Sequence, residues 1–215
     1  MQARLMFPET QYDGRALENI AIFAARRCRT TKSYVDLWQE VVDYSDERRN
    51  NFLTKVVNTD WALDLLEFCP LIYDLEGVPY WLVMELLRHR LIAREFSIEQ
   101  LSQRAISPTR LEISLTPTAP EIEDAARGYI EQLTNIISQN RLSPEVLRGA
   151  YPQGVLVNLV IAANARAFHH FFYMRCSVVA GGKGGAHPEF MQLADQMLAQ
   201  ARSRYPIIFQ LILAS

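Results

Sequence analysis

The chain has 215 residues, 49% hydrophobic and 21% charged, with a formal net charge of −2; this is ordinary for a globular protein and argues against general nucleic-acid binding, which calls for a basic excess. Three widely spaced cysteines, Cys28, Cys69 and Cys176, exclude a disulfide framework and a CxxC-type zinc site, so no metal is expected and the thiols read as reduced and cytoplasmic. No apolar run reaches membrane-spanning length, and "MQARLMFPET" has no signal-peptide core.

A short strand is predicted at residues 3–8. A helix follows over 15–29, in which Leu17, Ile20, Ala21 and Ala24 recur at helical spacing. Ser45 is a natural N-cap, with Asp46 and Glu47 in the first turn and Phe52, Leu53, Val56 and Val57 on the buried side. Residues 65–76 read as a strand. Pro70 has no amide hydrogen to give, so that strand is expected at an edge or bulged. Pro79 opens a helix expected to run to Arg90, with Leu82, Leu86 and Leu87 as its apolar stripe. Residues 107–120, rich in Ser, Thr and Pro, read as a loop. A long helix from Thr118 and Pro120 to about Asn140 comes next, then a short one from Ser143, Pro144 and Glu145. A strand is expected over 155–163, and Asn164 can cap a helix over 165–176. After a glycine-rich loop, a helix over 188–204 leads to a terminal strand at 207–213. No repeat or linker divides the chain, so one α+β domain is expected.

The densest chemistry lies in "ELLRHRLIAREFSIEQLSQR", residues 85–104, where Arg88, His89 and Arg90 are adjacent. Two explanations compete. Cations near a helix C-terminus are favoured by roughly 0.3–1 kcal/mol each. Alternatively, arginines meet a phosphate with two parallel hydrogen bonds. Ser102, Gln103 and Arg104 add phosphate-compatible donors, and on a strand Ser102 and Arg104 would share a face. "LRGAYPQG" places Arg148 in a run of apolar and small residues. "NARAFHHFFYMR" puts Arg166, His170 and Met174 on one helix face, with Arg175 at the helix end among Phe168, Phe171, Phe172 and Tyr173. Such a helix is expected to be heavily buried. A buried arginine needs a partner; the apolar stretches "LRGAYPQG" and "NARAFHHFFYMR" around Arg148 and Arg166 hold no carboxylate themselves, which favours an anionic ligand.

These segments resemble the flavin-dependent thymidylate synthases. That family's signature is Arg-His-Arg, seven residues, then Ser, with a block of the form S-x-N-E-x-S-x-R. Here "RHR" stands at 88–90 and "SIEQLSQR" at 97–104 resembles the block. "DLEGV" at 74–78, "LRGAYPQG" and "NARAFHHFFYMR" resemble further family segments in the right order, from about residue 60 to 180. The resemblance implies a mostly antiparallel sheet packed with helices, in a homotetramer with FAD between subunits. It implies transfer of a methylene group from methylenetetrahydrofolate to carbon 5 of dUMP, with NADPH as reductant and no cysteine nucleophile. Carried over by position, Arg88, His89, Arg90, Gln100, Asn164, Arg166 and His170 would contact FAD. Glu85, Arg88, Ser102, Gln103, Arg104 and Arg148 would hold the nucleotide, with Arg148 on its phosphate. Arg175 would contact the uracil ring and stabilise negative charge on it.

The chain also departs from the family's pattern. Eleven residues separate Arg90 from Ser102. Gln100 stands where the family has glutamate, and Glu85 where it has glutamine, which puts a charge beside the nucleotide unless Arg88 or Arg90 pairs with it. "DWALD" at 60–64 replaces a His-Gly-His stretch. "AGGKGGAHPEF" replaces an Ala-Gln-x-Glu-Ile segment and concentrates four of nine glycines within 181–185, without the Gly-Lys-Ser/Thr of a P-loop. These departures leave dUMP, UMP or another pyrimidine nucleotide open as substrate, and binding without catalysis as the alternative. His169 and His170 point about 100° apart on a helix, so one metal would not use both. Trp38, Trp61 and Trp81 read as core or interface residues, and "SDERRNN" at 45–51 as a solvated helix face.

Overall fold

The computed structural model describes residues 1–8, 13–89, 98–100, 112–113, 119–143, 149–177 and 186–210, with backbone alone at 60–61 and 98–100. Gln2–Phe7 (β1), Pro70–Pro79 (β2), Ile98–Gln100 (β3) and Leu156–Asn164 (β4) pair antiparallel, in the spatial order β1-β2-β4-β3. The expected strand at 65–76 is therefore shifted and central. It begins at Pro70, a first-residue position where a missing donor is tolerated, and Asp60–Phe68 before it winds as a 3-10 helix. A bulge exists but lies further on, between Leu75 and Val78. There Gly77 takes φ +64°, and its N–H donates to Asn158 Oδ1 at 2.9 Å.

The helices are Gly14–Arg27 (α1), Tyr34–Val42 (α2), Asp46–Val57 (α3), Tyr80–Leu86 (α4), Pro120–Asn140 (α5), Ala165–Arg175 (α6), Pro188–Arg204 (α7) and Pro206–Gln210 (α8). Four start on side-chain caps: Asp13, Ser33, Ser45 and Asn164 accept from the backbone N–H of Arg15, Asp36, Arg48 and Ala167. Each such cap contributes ~1 kcal/mol. Strand alternation puts Leu71, Tyr73 and Leu75 of β2 and Val157, Leu159 and Ile161 of β4 into the core. Against them pack Phe168, Phe171 and Phe172 of α6, Phe190 of α7 and Phe209 of α8, all solvent-free. Burying each such ring contributes roughly 1.5–3 kcal/mol. The Tyr73 hydroxyl, deep in this core, donates to the Met197 carbonyl at 2.9 Å.

The outer edge of β1 is covered by side chains of α7. Ala3 N–H donates to Gln196 Oε1 (3.1 Å), Leu5 N–H donates to Gln200 Oε1 (2.6 Å), and Gln200 Nε2 donates back to the Ala3 carbonyl (2.9 Å).

Two other expectations are corrected. The terminal strand expected from residue 207 begins instead as α8: Pro206 suits a helix start, and the buried Glu18 carboxylate of α1 accepts from the N–H groups of Ile207 (2.6 Å) and Ile208 (2.9 Å). The helix expected to reach Arg90 ends at Leu86, and Leu87 is exposed rather than part of the stripe. The chain tightens there, with Arg88 N–H bonded to the Glu85 carbonyl and His89 N–H to the Leu86 carbonyl. That turn swings His89 inward. The short helix expected from residue 143 falls mostly on residues outside the described set. So do the loop at 107–118, apart from Glu112 and Ile113, and the glycine-rich stretch 178–185.

Candidate functional site

The last turns of α4 and α6 meet at one point. Arg175, the final residue of α6, donates from Nε to His89 Nε2 at 2.8 Å, and its Cζ lies 4.8 Å from the centre of the Phe190 ring. Its Nη2 is 3.9 Å from Glu85 Oε2, and Arg88 Nη1 bonds the other Glu85 oxygen at 2.6 Å. Arg88 thus pairs with Glu85, as the charge at that position demands. Both arginines converge on one carboxylate rather than scattering over separate surfaces. His89 is only 8% exposed, edge-on to Phe171 at 5.3 Å and to Phe190 at 5.9 Å. Burial lowers its pKa to about 4, with the Arg175 charge and His170 pushing the same way and Glu85 opposing.

The other calls on α6 divide by face. Phe168, Phe171 and Phe172 are buried, whereas His170, Tyr173 and Met174 are exposed, so the helix is half-buried rather than enclosed. Arg166 pairs with Glu67 of the 3-10 helix, a partner 99 residues away that local reading could not find, and this removes the need for an anionic ligand there. Asn164 Oδ1 accepts from Ala167 N–H at 3.0 Å, making this residue the helix cap. Gln100 lies in β3, in register with Leu159. Arg90, Ser102, Gln103, Arg104 and Arg148 lie outside the described residues.

Phe190 went unrecognised by sequence reasoning as a site residue; its place in a rewritten segment after the glycines gave no local signal. His169 is half-buried, its pKa lowered first by burial, and Nε2 has no partner among the described residues. Trp81 packs partly buried against the core and edge-on to His187 at 4.6 Å, while Trp38 stacks on Tyr34 at 6.3 Å. Burial pushes the Cys69 thiol up to about 12 and the Cys176 thiol higher still, so neither is a ready nucleophile. Among the described residues no group of three His, Cys, Asp or Glu is arranged around a metal position, and no helix is long and apolar enough to cross a membrane.

A small antiparallel sheet flanked by helices, with a held guanidinium at a helix end, defines a fold of the flavin-dependent thymidylate synthase type. Thymidylate Synthase X (ThyX) from Helicobacter pylori, solved with FAD and dUMP, superposes with a TM-score of 0.72 at 18% identity, covering 100% of both chains. The UMP/dUMP methylase PolB from Streptomyces cacaoi, bound with 5-Br dUMP, gives 0.67 at 17% identity over 99% of this chain and 94% of that one.

Residues 12–207 match the family described as thymidylate synthase complementing protein, and the chain belongs to it. Flavin-dependent thymidylate synthases from Nitratidesulfovibrio vulgaris (24% identical; 86% of this chain, 78% of the relative) and Sulfurisphaera tokodaii (26% identical; 91% and 73%) are among its relatives. The chain is a divergent member of this enzyme family.

Proposed function

We propose that this enzyme methylates carbon 5 of a pyrimidine nucleotide, dUMP or UMP, using methylenetetrahydrofolate as carbon donor and NADPH as reductant. The observation that carries the proposal is the Arg175 guanidinium. It is held at a helix end by His89 and Phe190, beside Glu85 and Arg88, and among the described residues only its Nε makes a hydrogen bond. Its fixed fork donates to the uracil ring and stabilises negative charge as carbon 5 becomes nucleophilic. Ser102, Gln103 and Arg104 bind the nucleotide, and Arg148 takes its phosphate. Arg88 and Glu85 border the same ligand as a pair.

The donor set fits FAD. Arg88 is 74% exposed, Arg166 and His170 lie along the open side of α6, and exposed Leu87, Tyr173 and Met174 offer apolar surface beside these cations. With Arg90, Gln100 and Asn164 these residues would hold the cofactor. Bound FAD supplies hydride transfer, which reduces the transferred methylene group to a methyl group. Self-association as a homotetramer is supported by α5, where Ile122, Ala126, Tyr129, Leu133 and Ile136 recur at spacings of three and four. Ile122, Tyr129 and Ile136 are 60%, 44% and 50% exposed. The same reading makes the protein one domain, located in the cytoplasm, where its three free cysteines stay reduced.

The test is tritium release from 5-labelled dUMP and UMP by FAD-loaded protein given methylenetetrahydrofolate and NADPH. Release from either nucleotide supports the assignment, and failure to bind flavin overturns it. A second reading, a flavin- or nucleotide-binding homologue with another substrate or none, is favoured by Glu85 and Glu67. These carboxylates already engage Arg88 and Arg166. Nucleotide binding without release would select it.

A further inference from the structure

We propose that His89 is a positioning residue: acting as a neutral acceptor, it fixes the plane of Arg175 rather than contacting a ligand through its own ring. This rests on the reading above that Arg175 faces the nucleotide. A guanidinium can only donate, so the 2.8 Å contact from Arg175 Nε requires a lone pair on His89 Nε2 and places the imidazole proton on Nδ1. A protonated imidazole would turn a second donor toward Nε and lose the contact. The ring itself cannot swing, being almost solvent-free between Phe171 and Phe190.

Arg175 is therefore held twice, by the bond at Nε and by the Phe190 ring under its Cζ. Among the described residues one of its five N–H groups makes a hydrogen bond, which leaves the Nη edge to meet a planar ligand. A fork held in one orientation binds and stabilises charge better than one that must be ordered on each encounter. Among the described residues, the charged and titratable groups facing the imidazole are Arg175 and His170 on α6, which together with burial disfavour its protonation, and Glu85 on α4, which favours it; burial is the largest of these influences. The acceptor thus persists across neutral pH.

Three measurements decide this. In nitrogen-15 histidine-labelled protein, His89 should show the neutral Nδ1–H form, with no titration over about pH 6–8 where an ordinary histidine changes charge. His89→Phe keeps the aromatic packing and removes the acceptor. It should keep flavin loading and thermal midpoint while weakening nucleotide binding ~10-fold, read by flavin absorbance, through loss of one charge-assisted hydrogen bond. His89→Gln restores an acceptor and should recover most of that loss. The proposal is overturned if His89 titrates in that range, if its proton sits on Nε2, or if His89→Phe loses flavin but binds nucleotide normally. It is also overturned if folded His89→Gln does no better than His89→Phe. Should the wild-type protein bind no pyrimidine nucleotide, the functional assignment fails, while the tautomer measurement still decides the role of His89.

Discussion

Glu18 and His89 are both buried, both titratable and both hydrogen-bonded, yet they serve different ends. Glu18 Oε1 accepts two backbone N–H groups at the start of α8, with the buried Arg49 nearby, itself bonded to Asn19 at 3.1 Å. Among the described residues, every donor aimed at that oxygen is a backbone N–H of the chain's own framework. His89 accepts one N–H from a guanidinium whose other N–H groups make no hydrogen bond among the described residues. Buried charge alone does not mark a site; donors left over after internal pairing do.

The largest expected effect tests the Arg175 half of this contrast. Arg175→Ala should lower turnover by ~10²–10³-fold, the cost of removing a donor to charge developing in the transition state. Arg175→Lys keeps the charge but not the fork, and should fall nearly as far. Tritium release measures both. If Glu18→Ala cost as much activity without unfolding the protein, the contrast would break.

Glu18→Ala should instead cost stability, about 2–4 kcal/mol by urea denaturation, because two N–H groups lose their acceptor. The pH dependence has a definite sign. Burial raises the Glu18 pKa from 4.5 to about 7, so the folded state binds the proton more tightly than the unfolded chain. Its contribution is fully present below 4.5 and is lost as pH rises through about 7. The span is at most about 3 kcal/mol. Glu18→Gln should flatten that slope.

Smaller changes sharpen the picture. Tyr73→Phe removes a buried donor to the Met197 carbonyl and should cost about 1 kcal/mol in the same denaturation measurement, with no change in turnover. Glu67→Gln releases Arg166 from a half-exposed ion pair worth at most about 1 kcal/mol. FAD affinity should rise by no more than about fivefold in a fluorescence titration, provided Arg166 meets the cofactor.

The sequence was informative wherever structure is local. Ser45 and Asn164 cap the helices they were expected to cap, because capping involves only the next three residues. The pairing of Arg88 with Glu85 was foreseeable from their spacing. What failed was non-local. β2 is central because β1 and β4 flank it, and no property of residues 70–79 announces that. Ile207 and Ile208 look like strand, yet a carboxylate 189 residues away in the chain caps them as helix. Glu67 reaches Arg166 across 99 residues of chain. Tyr34–Val42 was overlooked as a helix although Ser33 caps it locally, since its exposed Tyr34 and Val35 blur the period.

Gln196 and Gln200 have a consequence for assembly. By occupying the outward N–H groups of Ala3 and Leu5, they deny an incoming chain the template that edge strands offer. Subunits cannot join by extending the sheet past β1, and partially unfolded copies cannot zip onto it. Replacing both glutamines by leucine would uncover that seam and favour fibrillar self-addition over ordered association.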